Sequence, residues 1–581
     1  MTDNIIQIKK NNIVLFILSV ITLLFFAALS FNYTSSLIIE SMDKVIGRNL
    51  RDPQKWSRIL KGILHIPVFS CAIFIFNNFF TLGLKTAEKI KQIFFNIFSK
   101  LKKSDLIAFI LFFTVFFFIA YYKIIDADFY YADDKARLIG DDKTSWISFG
   151  RYVSQFFSVF IHTSFPLVDV APLTQFFSIL IMSFSLMILI LILDNKIKIA
   201  KSFPLTFLFI SPFFSQCFSY RFDNIYMTLA VFFTLIPFLF KDDKISFIYL
   251  SIVFLVLSCM SYQAATSVYI MLVIFISLNK IKKNENIKEV IKFILSSVIS
   301  FTIALLIYKL LFDCSSDPKY FVPATEENYF STSISIQVIP QNIKNYVLLV
   351  TNNVGGIWLK VFIICSAIIY YVFSIKNSKI NKFIFVAVSI VFIATAFILS
   401  LGPYMILKKT LLAPRVFMGF NMFIALILYF CVEDILCSNL SVKNKYIFSI
   451  PTHFVIYGCI TFLYAYGNCL SHQKEYSDFR FQLIINDMNE YIKEGDVYIS
   501  FKGKSTDYCQ ALDVAVKQYP IINLLLENQP SPNSSWNDKY LYKFNLVSEQ
   551  ENSKEKLPLL KESYYHDLYG KDNHFVVNLK K

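Results

Sequence analysis

Four carboxylates, Asp126, Asp128, Asp133 and Asp134, crowd into one short stretch directly after an apolar run, with Lys135 and Arg137 beside them. An acidic pair at a membrane boundary suits a substrate with a polar head and a lipid tail, or else is a solvated patch that offsets the two cations. Downstream lies the turn Gln216-Cys217-Phe218-Ser219-Tyr220-Arg221-Phe222-Asp223-Asn224. An arginine and an aspartate where spans leave a bilayer are costly unless they pair, snorkel or bind something. A guanidinium fork fits phosphate oxygens, so Arg221 is a phosphate candidate or a partner of Asp223. Ser261-Tyr262-Gln263 offers an aromatic face for a sugar, and Lys408, Lys409 and Pro414-Arg415 place cations that suit a lipid phosphate or anionic headgroups.

The elements that must position these residues are membrane helices. Of the 581 residues 56% are hydrophobic and 17% charged, and the mean hydropathy of +0.54 excludes an ordinary soluble enzyme. Apolar runs of about 20 residues, enough to cross a bilayer, begin near Ile13, Gly62, Asp105, Leu173, Ser202, Ile225, Ile245, Ala264, Val290, Gly356, Lys382, Val416 and Tyr446. They predict an all-α polytopic protein of about thirteen transmembrane helices. The formal charge of +15 sits in short clusters between the runs, so it sets topology and does not imply a nucleic-acid partner.

Those clusters recur in every second loop: Lys85 to Lys103, Lys196 to Lys201, Lys241 and Lys244, Lys280 to Lys283, Lys376 to Lys382, Lys443 and Lys445. The positive-inside rule puts them and the N-terminus in the cytoplasm and every motif above on the opposite face. The loop Asn32 to Lys61 strains this serpentine, being basic on the face that is otherwise poor in cations. Between the acidic loop and the next span, Phe149, Val153, Phe156, Phe157 and Phe160 recur at helical spacing, as in a helix lying in the interface plane.

Three regions follow. Residues 1–104 hold two spans and a basic loop, 105–469 form the transmembrane core with its external acidic loop at 123–172, and 470–581 form a small external α/β domain. In that tail, helical spacing over Phe479 to Ile492 precedes an alternating strand at Val497 to Phe501, a helix from about Asp507 and an apolar stretch at Tyr519 to Leu526. No phosphate-cradling glycine motif, no HExxH and no GxSxG elbow occurs, and the six histidines are dispersed. The ten cysteines show no zinc spacing, while Cys469 and Cys509 lie outside the spans, where an oxidising compartment permits one disulfide.

The series Asp133-Asp134, Arg137, Gly140, Trp146, Gly150-Arg151, then Tyr220 to Asn224, Ser261-Tyr262-Gln263 and Pro414-Arg415 resembles the bacterial O-antigen, serotype-converting glucosyltransferase family. The resemblance runs over roughly Asp105 to Tyr466, and the block DDxxRxxG followed by W and GR is its specific part. It departs in having two spans ahead of Asp105 and a long external tail.

Members are similar to glycosyltransferases of the GT-C class, multi-spanning enzymes with a catalytic acid in the first large external loop. The resemblance implies undecaprenyl phosphate glucose as donor, a lipid-linked O-antigen repeat as acceptor, and transfer at the periplasmic face of the bacterial inner membrane. Such a reaction needs a base for the acceptor hydroxyl, cations for the departing phosphate and an apolar slot for the prenyl chain. Asp133 or Asp134 is the expected base. Arg221 and Arg415, then Arg137 and Arg151, are expected at the phosphate, and Tyr220, Asp223, Tyr262, Gln263 and Trp146 at the sugar or acceptor. Two alternatives stay open for a cofactor: cationic stabilisation of the phosphate without a metal, or Mg²⁺ or Mn²⁺ held by the acidic pair. The alternatives are another sugar or acceptor on the same architecture, a flippase for lipid-linked oligosaccharide, and an O-antigen polymerase.

Overall fold

The structure is a computed structural model that describes residues 86–140, 146–312, 334–504, 508–532 and 557–580, with positions 534, 537, 540–542 and 546 between the last two. The chain divides into two compact units, 1–96 and 97–581. Of the first only 86–96 are described. The spans expected near Ile13 and Gly62 and the basic loop 32–61 therefore lie outside the described residues.

Among the described residues, a series of helices organises the second unit. They are α1 (Lys103–Asp126), α2 (Asp134–Leu138), α3 (Tyr152–His162), α4 (Leu173–Asp194), α5 (Asn224–Leu235), α6 (Lys244–Tyr262), α7 (Thr266–Lys282), α8 (Ile287–Leu311), α9 (Ile339–Asn353), α10 (Ile357–Lys376), α11 (Lys382–Leu399), α12 (Met418–Cys437) and α13 (Val442–Asn489). Shorter turns lie between them. A backbone in hydrocarbon must satisfy its own N–H and C=O groups, and only helices do so within one segment.

Among the described residues eight helices are long and apolar enough to span, with the stretch Lys244–Lys282 counted as one. That stretch is folded back on itself. Tyr262 is extended, at φ −158°, and Tyr269 Oη donates to Ser251 Oγ at 3.0 Å, a pair that a straight helix would hold about 27 Å apart. The expected count of thirteen is not confirmed among the described residues: besides the two undescribed starts, those near Ser202 and Ile225 fall on the shorter apolar helices Ile199–Ile210 and Asn224–Phe240.

Lysines gather at one end of the bundle. Lys282 Nζ pairs with Asp434 at 2.6 Å, Lys201 with Asp194 at 3.0 Å, Lys241 donates to the Ile192 carbonyl and Lys445 to the Leu436 carbonyl at 2.8 Å. The same end carries the polar N-caps Asp243, Asn286, Asn381 and Ser441, each accepting a backbone N–H of the helix it starts. Lysines in the last turns of α7 and α10 complement the helix dipoles there.

The core is built on α12, whose side chains are buried almost without break from Met418 to Val432. Rings and small residues set the spacing, because lipid supplies no hydrophobic drive between helices. Phe275 stacks on Phe430 at 6.1 Å. Gly419 faces Ser267 and the Ser400 carbonyl so closely that a Cβ would lie 2.2 Å from that oxygen.

Helix α13 runs unbroken for 48 residues, about 72 Å, through the boundary expected at residue 470. No helix stop interrupts it there: Gly467 is a contact residue, not a terminator, and a Cβ on it would sit 2.6 Å from the Lys123 carbonyl carbon of α1. Its far end, through Phe481, Ile484 and Met488, packs on a four-stranded sheet of β1 (Tyr498–Gly503), β2 (Leu559–Glu562), β3 (His566–Lys571) and β4 (His574–Leu579). The order is β1-β4-β3-β2, with β1 parallel to β4 and the remaining pairs antiparallel. Asp572 and Asn573, both with positive φ, form the two-residue β3–β4 turn.

The segment 508–526 is not part of this sheet. Leu512, Val516, Ile521, Ile522 and Leu525 belong to the core of the membrane helices, and Tyr519 meets Phe462 of α13 at 5.4 Å. Cys469 and Cys509 are free thiols.

Gly467→Ala is expected to cost about 1–3 kcal/mol by overpacking against rigid backbone. Gly458→Ala, which meets only the Leu359 side-chain tip at 3.3 Å, is expected to cost less. Thermal unfolding of the two variants in detergent micelles checks the ranking.

Candidate active site

The opposite end of the bundle gathers what the sequence scatters. The end of α1, the starts of α4, α5 and α12, the α6–α7 turn, the end of α8 and the middle of α13 all meet there through side chains. Thr174 donates to the Arg221 carbonyl at 2.6 Å, Ser219 and Tyr466 hydroxyls lie 2.9 Å apart, and Lys474 Nζ lies 3.0 Å from Asp128. Each spanning helix in these contacts has its other end among the lysines.

The two adjacent carboxylates part company. Asp134 is fully buried and accepts three backbone N–H groups, from Arg221 at 2.8 Å, Tyr131 at 3.0 Å and Phe222 at 3.1 Å. Burial pushes its carboxyl up to about 8, against the pull of those donors. Both its oxygens are occupied in holding one loop to another. Asp133 is half-buried, and among the described residues its carboxylate makes no hydrogen bond or ion pair. The charges it faces are Arg415 and the Tyr220 hydroxyl.

The four arginines divide in the same way. Arg137 forks onto Asp223, with Nε 2.9 Å from Oδ1 and Nη2 3.1 Å from Oδ2, while its Cζ stacks 3.6 Å over the Trp146 ring. Arg221 pairs with Asp128 and, at 2.8 Å, with Asp169, and lies 4.4 Å over Tyr130. Burial opposes the charge on Asp128, yet Arg221 and Lys474 hold its carboxyl below the ordinary range. Arg221 thus meets Asp128 and Asp169, not Asp223.

Arg151 and Arg415 have no carboxylate within ion-pair distance among the described residues. Arg151 Nε donates to Gln263 Oε1 at 3.1 Å, and its Cζ lies 4.6 Å over the Tyr262 ring. Gly150, at φ +68°, precedes it where a Cβ would strike the Tyr308 hydroxyl at 2.5 Å. Arg415 donates to the Tyr220 hydroxyl, and its backbone N–H is fixed by Gln216 Oε1 at 2.8 Å. Both guanidinium groups interact electrostatically with Tyr262 and Tyr404. Two cations without an ion-paired carboxylate among the described residues therefore share one aromatic floor, with Asp133 facing one of them, an arrangement chemically suited to a phosphate.

The residues expected at a sugar are more enclosed than their composition suggests. Trp146, Tyr220 and Tyr262 are buried, Asp223 is spent on Arg137, and Gln263 is held by Arg151, the Phe149 carbonyl and Tyr308. Six residues that sequence reasoning gave no role complete the site: Asp128, Asp169, Gln216, Tyr308, Lys474 and Glu527, the last pairing with Lys135 at 2.8 Å. Asp128 and Asp169 carried a local signal in their place in the acidic loop, and Gln216 in the 216–224 turn. His162 stacks on Phe222 and burial lowers its basicity, so it packs as a neutral ring. Among the described residues no group of three His, Cys, Asp or Glu side chains is placed to hold a metal, and the three N–H groups on Asp134 would compete with one for its oxygens.

The family model for glucosyl transferase GtrII matches residues 122–426, from the end of α1 through the start of α12. No curated protein and no solved structure matches the chain.

Asp134→Asn leaves at least one of three buried N–H groups without a full acceptor, at an expected cost of about 1–3 kcal/mol. Because burial raises this carboxyl in the folded state, its contribution to stability is present at low pH and is lost as pH rises through about 8. The deficit of Asp134→Asn relative to wild type should accordingly narrow between pH 5 and 8, read by thermal unfolding across that range. A constant or widening deficit contradicts this placement.

Proposed function

Because the chain belongs to the glucosyl transferase GtrII family, we propose that it moves glucose from undecaprenyl phosphate glucose to a lipid-linked O-antigen repeat. The transfer takes place on the periplasmic face of the bacterial inner membrane. The observation that carries the reading is the pairing of what remains uncompensated: Asp133 on one side, Arg415 and Arg151 on the other.

Asp133 takes the proton from the acceptor hydroxyl as that oxygen attacks the anomeric carbon. The bond from that carbon to the donor phosphate oxygen breaks, and its electron pair leaves on the phosphate, which gains a negative charge. Arg415 and Arg151 receive that charge in a site walled by Tyr220, Tyr262 and Tyr404, where a cation counts for more than in water. The proton passes from Asp133 to solvent. Arg137, Arg221 and Asp134 act as positioning residues, since each is already satisfied by protein partners.

The lysine end supports the sidedness. Lys and Arg favour the cytoplasmic side, so a site at the opposite end faces the periplasm, with the N-terminus in the cytoplasm and the sheet outside. Membrane lipids surround α10 and α11, whose outward faces are largely apolar and exposed.

Asp133→Asn is expected to lower transfer by about 10²–10⁴-fold with an unchanged unfolding temperature, and Arg415→Ala to weaken donor use while Arg415→Lys restores part of it. Full activity in Asp133→Asn removes that residue from the mechanism. Mass spectrometry of the surface polysaccharide with and without the gene tests the reaction itself: loss of one hexose per repeat is expected. Unchanged repeats with altered chain length would point to polymerisation instead.

A further inference from the structure

The short helix α2 is held from two directions. Asp134 and Arg137, three residues apart, leave it on one side and meet the turn 221–223: Asp134 accepts the N–H groups of Arg221 and Phe222, and Arg137 forks onto Asp223. Lys135 is turned about 100° from Asp134 and reaches Glu527, Nζ to Oε2 at 2.8 Å. Both partners are enclosed, with side chains 6% and 19% exposed. Among the described residues Glu527 is the one carboxylate within ion-pair distance of Lys135. An enclosed ammonium that loses its carboxylate is left uncompensated, so the pair fixes where that side of α2 lies. Asp133 is the residue at which the chain enters α2.

Glu527 is itself firmly mounted. It comes two residues after Leu525, which with Leu512, Val516, Ile521 and Ile522 is packed in the core of the membrane helices. Tyr519 meets Phe462, and Gly356, at the start of α10, lies so close that a Cβ on it would stand 3.2 Å from both Gln518 Nε2 and Tyr519 Cε1. The charge of Glu527 also bears on the other wall of the site. Tyr131 interacts electrostatically with both Glu527 and Arg415. Its hydroxyl accepts from Gln216 Nε2 at 3.0 Å, and Gln216 Oε1 accepts the Arg415 backbone N–H at 2.8 Å. One carboxylate thus stands beside both the loop of Asp133 and the network that fixes Arg415. It lies past residue 426, where the match to the family model ends.

We infer that Glu527 is a positioning residue for the transfer, holding Asp133 in place opposite Arg415 through its ion pair with Lys135. The inference rests on the reaction proposed above, in which Asp133 takes the acceptor proton. A general base must lie within hydrogen-bond reach of the proton it removes, and a misplacement of about 1 Å costs on the order of 10²-fold in rate. Without Glu527, α2 is hinged on the turn 221–223 alone and carries Asp133 with it as it swings. The donor phosphate keeps Arg151 and Arg415, so the loss falls on kcat and not on the donor KM.

A double-mutant cycle on the full-length protein in proteoliposomes tests this, with undecaprenyl phosphate glucose as donor and a lipid-linked O-antigen repeat as acceptor. Amide hydrogen exchange of residues 131–138 is followed in the same variants. Glu527→Gln and Lys135→Met are each expected to lower kcat about 10–100-fold at unchanged donor KM, and to speed exchange in 131–138. The double variant is expected to lose no more than either single one, because each removes the same pair. Losses that multiply in the double variant overturn the pair as the route. Unchanged kcat in Glu527→Gln overturns the positioning role while glucose transfer stands, and so does a fall in kcat with exchange in 131–138 unaltered. A wild-type protein that moves no glucose removes the transfer reading and this inference with it, a result distinct from an active wild type with an indifferent Glu527→Gln.

Discussion

One buried carboxylate ties together the end of the bundle that faces away from the lysines. Asp134 takes N–H donors from its own loop, at Tyr131, and from the turn 221–222 that lies nearly ninety residues away. Those N–H groups sit between helices and away from water, where an unsatisfied donor is expensive. A single side chain with two acceptor oxygens serves all three. Once that turn is fixed, Arg221 reaches Asp128 and Asp169, Asp223 reaches Arg137, and the Thr174 hydroxyl finds the Arg221 carbonyl. Every later placement depends on this clamp.

The clamp also explains why a site rich in arginine keeps only part of its positive charge. A cation buried beside a carboxylate pays for its desolvation with that partner and has little left for a substrate. Arg137 and Arg221 are in that position, each further held by an aromatic face. Arg151 and Arg415 are held by neutral groups, a glutamine and a tyrosine. These partners orient a guanidinium without cancelling its charge. The distinction is electrostatic and not one of residue type.

The scaffold behaves consistently with this division of labour. Capped helix starts and lysine-bearing helix ends stabilise one face, and the other carries glycine turns of positive φ and enclosed charge. The long α13 links bilayer to sheet and lends Tyr466 and Lys474 to the site as it passes. The segment 508–526 returns to the membrane helices and sends Glu527 to Lys135. The C-terminal region is thus physically engaged with the acidic loop, which composition alone does not reveal.

What the sequence determined by itself follows from short-range rules. Apolar length specifies helices because hydrocarbon leaves the backbone no other partner, and lysine spacing specifies which helix ends lie together. The grouping of Asp133, Asp134, Arg137, Arg151, Arg221, Gln263 and Arg415 at one end was legible on those grounds, as was the family. The course of α13 through residue 470 and the return of 508–526 were not, since both depend on packing between distant surfaces. Tertiary structure alone decided which of two neighbouring aspartates is spent on backbone N–H groups, and which two of the four arginines have no carboxylate within ion-pair distance among the described residues. Identical side chains acquire opposite roles from partners up to 392 residues away, as Lys135 does from Glu527. Local spacing carries no record of such through-space pairing.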